Sequence, residues 1–153
     1  MKEEEILALL RLQKTRSIGD ILAKKLIATV GSAVDIFKEK NYMLQKINGI
    51  GSYAIQNLLD DSNQQLAEKE FQYIKKHKIE YSYFLDKDYP LNLQHCIDAP
   101  ILFFKDGTID FSNEKIISIV GTRTMTNYGS SFCEKLIDEL AVYNPIIVSG
   151  FAY

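Results

Sequence analysis

Metal-ligating residues are scarce in this chain. Its 153 residues include two cysteines, Cys96 and Cys133, and two histidines, His77 and His95. A zinc site needs about four such ligands at close spacing, and no CxxC pair is present, so no metal centre is expected. His95 and Cys96 are sequence neighbours, and neighbours do not face each other as base and nucleophile; both cysteines read as reduced thiols in or near the core. No apolar run approaches the ~20 residues that span a bilayer. The N-terminal stretch MKEEEILALLRLQK is acidic ahead of its apolar part and has no small-residue cleavage site. It is neither a signal nor a transit peptide, and the expected compartment is the cytoplasm. The dinucleotide fingerprint GxGxxG and the Walker A Gly-Lys-Ser/Thr are also missing. No acid–base pair or nucleophile presents itself, so neither catalysis nor a cofactor is expected.

What is present is ordinary globular material. Hydrophobic residues make up 46% and charged residues 25%, the proportions of a soluble protein with a real core. The length allows one domain of average size or two small ones. The net charge of −2 predicts no polyanionic partner by itself. Its distribution is uneven. Residues 1–80 hold 13 Lys and Arg against 11 Asp and Glu, and residues 81–153 hold 5 against 9. The mildly basic first half is weak support for a nucleic-acid face there.

Residues 1–79 read as helices. Apolar positions 6, 7, 9, 10 and 12 form one helical face, and Ile18, Ile21, Leu22, Leu26 and Val30 form another. Ser32, Asn41 and Ser62 are the expected N-caps of three further helices, with one more over residues 52–59. Such a bundle is expected to fold on its own. From residue 80 the pattern changes. Residues 80–85 and 99–104 have strand composition, and 115–120 reads as a buried parallel strand. A loop with Gly121 and Gly129 follows, then a helix over 130–142 and a strand over 146–149. The expected architecture is α/β: a helical helix-hairpin-helix or SAM-like domain over 1–79, then the start of a Rossmann-like, doubly wound parallel sheet over 80–153. One βαβ unit cannot cover both faces of a parallel sheet. The chain is therefore expected to be part of a longer protein, with completion by another chain as the alternative.

Three motifs carry chemistry. The first is Leu44-x-x-Ile47-Asn48-Gly49-Ile50-Gly51-x-x-Ala54-x-x-x-Leu58, which resembles a helix-hairpin-helix. Glycines allow the tight turn and leave N–H groups at the next helix start bare for a phosphate, so Gly49, Ile50 and Gly51 are candidate phosphate contacts. A weaker copy around Ile18-Gly19 has Ser17 where the first glycine belongs. DNA binding and simple packing or protein contact stand equally open for this pair. The second motif runs from Ile119 through Gly121, Thr122, Arg123, Thr124, Thr126 and Tyr128 to Gly129. A glycine between a buried strand and a helix is the phosphate position of α/β folds. Arg123 offers a bidentate fork, the threonines offer hydroxyls, and Tyr128 offers a face for a base. The third is Val148-Ser149-Gly150-Phe151-Ala152, small residues at the end of the neighbouring strand.

The order of these motifs, with Asp88-Tyr89-Pro90-x-x-Leu93 and Ala99-Pro100-Ile101-Leu102-Phe103 between them, resembles the DNA-processing protein A (DprA, or Smf) family over nearly the whole chain. The resemblance implies a non-catalytic protein that binds single-stranded DNA, protects it as it enters the cell and hands it to the RecA recombinase in natural transformation. It implies a homodimer. It places the DNA site on Gly121, Thr122, Arg123, Tyr128, Gly129, Ser149, Gly150, Phe151 and Ala152. Tyr153 stands where relatives usually carry Arg, which removes one cation. Two other readings are a nucleoside-monophosphate phosphoribohydrolase, whose catalytic Glu loop is absent before residue 153, and a helix-hairpin-helix adaptor for protein contacts.

Overall fold

A computed structural model describes residues 2–109, 111 and 115–150. The chain forms two compact units, Met1–Gly107 and Thr108–Tyr153. Helices come first and short strands follow, in the order anticipated for an α/β protein.

The first unit is organised by α1 (Glu3–Lys14), in which Leu9, Leu10 and Leu12 are fully buried. Around it come α2 (Asp20–Val30), α3 (Ala33–Lys38), α4 (Asn41–Leu44), α5 (Ser52–Leu58) and α6 (Asp61–His77). Polar groups on α1 fix its neighbours. The Glu5 carboxylate accepts the backbone N–H groups of Ala33 (2.7 Å) and Val34 (3.2 Å), which are orphan donors at the start of α3. Ser32 caps the same helix, accepting from the Asp35 N–H at 3.0 Å. Arg11 donates to the Leu58 carbonyl at the end of α5 (3.1 Å), and its guanidinium lies 4.2 Å over the Phe37 ring. Lys14 pairs with Glu70 on α6.

Two expected caps differ. Asp60, not Ser62, caps α6: its carboxylate accepts the Ser62 N–H at 2.9 Å, and Ser62 holds the Asp60 carboxyl below its ordinary range. Lys40 precedes α4, and Asn41 is its first residue. At α6 several capping residues stand together, and the tertiary course of the chain chooses among them; at α4 the helix starts one residue earlier than expected, with no side-chain cap.

The same unit continues past the helices. Strand β1 (Glu80–Tyr83) is followed by the single turn α7 (Leu91–Gln94) and by β2 (Leu102–Lys105). The two strands pair antiparallel, Glu80 opposite Lys105 and Tyr83 opposite Leu102. A polar clasp closes the segment between them. The fully buried Ser82 donates its hydroxyl to Asp88 at 2.6 Å, and Lys105 donates to the same oxygen at 2.9 Å. The Tyr89 ring is buried, and its hydroxyl donates to the Pro100 carbonyl at 2.7 Å. Burial pushes the neighbouring Tyr83 hydroxyl up to about 12. Cys96 is exposed rather than in the core, next to this turn.

Helices and hairpin share one core. Tyr83, Ile101 and Leu102 belong to the same buried cluster as Leu9 and Leu26. Asp20, at the start of α2, accepts the Ile101 N–H at 2.9 Å, and Lys24 donates to the Ile97 carbonyl at 3.3 Å.

The second unit holds β3 (Ile116–Ile119), α8 (Asn127–Ala141) and β4 (Ile146–Ser149), with β3 and β4 parallel and Ile119 opposite Ser149. The helix starts at Asn127, earlier than the expected residue 130, because Thr126 caps it. Among the described residues of this unit none is buried. Two strands and one helix cannot enclose a sheet.

Cutting the chain after residue 79 removes Tyr83, Ile101 and Leu102 from the core, a loss of roughly 5–9 kcal/mol at about 1.5–3 kcal/mol per side chain. A 1–79 chain should therefore melt without a cooperative transition, whereas 1–107 should melt cooperatively, as followed by circular dichroism at 222 nm (roughly the helix band).

Candidate nucleic-acid interface

The parallel register determines what meets at the edge of the second unit. Ile119 and Ser149 are partners at the carboxyl ends of β3 and β4, so the loop beginning at Val120 and Gly121 and the loop beginning at Gly150 leave the sheet side by side. This is the edge at which open α/β sheets bind ligands. Val120, Gly121, Thr122, Arg123, Tyr128, Ser149 and Gly150 are all exposed. A Cβ built on Gly121 or Gly150 meets nothing within 4 Å. The space beside both glycines is open to a ligand. Phe151 and Ala152 lie outside the described residues.

Inside the loop some donors are already used. Thr122 donates its hydroxyl to the Thr124 carbonyl at 2.6 Å, which folds the loop on itself. Thr126 Oγ1 accepts the Gly129 N–H at 3.1 Å. Gly129 thus serves the helix cap, and a Cβ there would lie 3.2 Å from Met125 Cγ. Its absence of a side chain lets Met125 fold over the first turn. Arg123 remains the one exposed cation of this loop. The Tyr128 ring, 81% exposed, lies near-parallel to Phe132 one turn on, with centroids 6.4 Å apart. Phe132 is not among the residues singled out from the sequence; the i, i+4 aromatic spacing is the signal that marks it.

The hairpin motif of the first unit is present twice. Gly49 has φ +99 and Gly51 caps α5 without a side-chain bond. In the earlier copy Ser17 takes φ +66 and Gly19 caps α2 in the same way. Ile50 and Ala54 are buried, as close helix approach requires. A groove of about 530 Å³ lies between the two turns, lined by Gly19, Asp20, Ile21, Leu22, Lys25, Asn48, Gly49 and Asp98. Lys25 donates to the Asn48 carbonyl. With two carboxylates on its wall, the groove itself repels a phosphate, while Gly51 lies exposed at the hairpin tip.

Comparison with known proteins decides the family. The DNA recombination-mediator protein A family matches residues 80–153. This part of the chain belongs to the DprA/Smf family. Protein Smf of Synechocystis is 27% identical over 146 residues, 91% of this chain and 36% of the relative. DNA processing protein DprA of Streptococcus pneumoniae is 36% identical over 84 residues, 55% of this chain and 28% of the relative. The chain thus spans about a third of the length of these curated relatives.

The recombination-mediator family match begins at β1, so it takes in the clasp as well as the glycine loops. Asp88, Tyr89 and Pro90, which carried part of the resemblance, have a structural task. The Ser82 hydroxyl first, and Lys105 second, hold the Asp88 carboxyl below the ordinary carboxylate range. Its contribution is therefore complete above the unfolded-state value near 4 and is lost as pH falls through the lower folded value.

Two outcomes follow. Thermal melts from pH 7 down to pH 3 should show a loss of stability in the acid range that Asp88→Asn lacks, the variant being the less stable protein at neutral pH. Gly121→Ala and Gly150→Ala should each change stability by less than about 0.5 kcal/mol, as open surface positions do. Any ligand whose backbone approaches those glycines should bind both variants more weakly, measurable by fluorescence anisotropy.

Proposed function

We propose that this chain is the N-terminal portion of a DprA-like protein that binds single-stranded DNA, protects it and helps to load it with the RecA recombinase during natural transformation. In the same proposal, residues 1–79 are the helical part and the Rossmann-like part begins at residue 80, its first hairpin packing back on the helices. The protein acts without catalysis, in the cytoplasm, as a homodimer in its full-length form. The observation that carries the reading is the pair of glycine loops at one sheet edge, with Arg123 exposed between β3 and α8, inside the segment that matches a DNA recombination-mediator family.

The mechanism is electrostatic and geometric. Arg123 grips a phosphate through a planar fork, and bare N–H groups near Gly121 and Gly150 approach the same strand. Ser149 ends β4 beside them. Tyr128 supplies an exposed ring face for a base, which suits a flexible strand better than a duplex groove. Thr122 and Gly129 shape the loop through the bonds that they already make. The hairpin turn Gly49, Ile50 and Gly51 offers a further backbone contact to phosphate.

Labelled oligo-dT should bind the protein more tightly than duplex of equal length, and affinity should fall with salt as phosphate contacts release counterions. Arg123→Ala should weaken binding by about 1.5–3 kcal/mol, the range of a charge-assisted bond. Arg123→Lys should restore only part, because a point charge lacks the fork. Tighter binding of duplex, or AMP displacing the oligonucleotide at matched phosphate concentration, would overturn the reading.

A further inference from the structure

A second surface with nucleic-acid chemistry lies in the first unit, on the short helix α4. Its Tyr42 is 55% exposed. The Lys46 ammonium lies 5.6 Å from the centre of the Tyr42 ring, and that of Lys40 lies 6.0 Å from it. Met43 beside it is also exposed, and Lys46 Nζ reaches its sulfur at 3.9 Å. Neither lysine has a carboxylate partner among the described residues. The neighbouring acid, Glu39, turns back to accept the Lys40 N–H at 2.9 Å.

These features have a common physical meaning. A large flat ring left in water loses the free energy that burial would give it. Two unpaired ammonium groups at the outer limit of cation–π distance keep their N–H donors available. A ring flanked by two such donors matches a base and the phosphates on either side of it. An acidic peptide would use the lysines but leave the ring uncovered. Lys46 also leads directly into the turn at Ile47, Asn48, Gly49, Ile50 and Gly51, so the surface continues into the hairpin.

We propose that Tyr42, with Lys40 and Lys46, is a base-stacking contact for a single nucleic-acid strand, distinct from the glycine loops of the second unit. The inference takes the nature of the ligand from the proposed function and adds a site that the family match, which begins at residue 80, does not include. The helical unit then holds the strand directly instead of serving only as a support.

The test uses the full chain and two labelled probes of equal length and charge, oligo-dT and its abasic counterpart. The wild type should prefer the oligo-dT. Tyr42→Ala should lose roughly tenfold of that preference, Tyr42→Phe should keep it, and circular dichroism should show both folded. Lys40→Gln with Lys46→Gln should lower affinity for both probes and flatten the salt dependence by about two phosphate contacts. Unchanged preference in Tyr42→Ala while Arg123→Ala still weakens binding overturns this inference and leaves the proposed function standing. The converse pattern supports this site and moves the main contact away from Arg123. Failure of the wild type to bind either probe overturns both.

Discussion

The first unit depends on the burial of α1 on nearly all sides. Burying a helix so completely leaves its polar side chains nowhere to go except to partners. Glu5 finds the start of α3, Arg11 the end of α5 and Lys14 the flank of α6. Each bond does double work, since it satisfies a buried or half-buried polar group and sets the position of the helix that it reaches. The apolar side chains of α1 would accept many arrangements of neighbours. The three polar ones accept few, because leaving any of them unpaired costs about 1–3 kcal/mol.

The hairpin glycines and the clasp are downstream of that constraint. With α5 tied to α1 through Arg11 and α2 packed on α3, the turns at Ser17 to Gly19 and at Gly49 to Gly51 adopt matching backbone conformations. Asp20 then stands where it can accept the Ile101 N–H, which brings β2 into the helical core. The second unit follows a different logic. Its two parallel strands pair in register, and its chemistry is concentrated at the loop edge.

Much of this was readable from residues. The 3.6 period over residues 1–79, the apolar runs of β3 and β4 and the cap at Ser32 all stood in the sequence. The left-handed backbone at Ser17 did not: a serine in the place of the first glycine marked that copy of the hairpin as the weaker one. The antiparallel pairing of β1 with β2 was not readable, because alternation shows a strand but not its partner. The caps at Asp60 and Thr126 competed with nearby Ser62 and Ser130, and local sequence does not rank them. At the candidate site, the exposed Arg123 and the shared sheet edge followed from the βαβ pattern. The engagement of the Gly129 N–H and the Thr122 hydroxyl did not, since both depend on the path of the loop over residues 120–126. The ammonium groups around Tyr42 depend on side-chain rotamers and were equally hidden.

The joint at β1 has a consequence for how the chain can be divided. The match to the recombination-mediator family starts at residue 80, while the packed unit that contains residue 80 runs on to Gly107. The segment that the family match covers is therefore not the segment that folds together. A head exchanged between relatives at residue 80 would arrive without the Asp20 acceptor that Ile101 uses and without the surface on which Tyr83 and Leu102 pack. The strip of α2 that meets the hairpin is thus matched to it, and a join placed after Gly107 would leave that match intact.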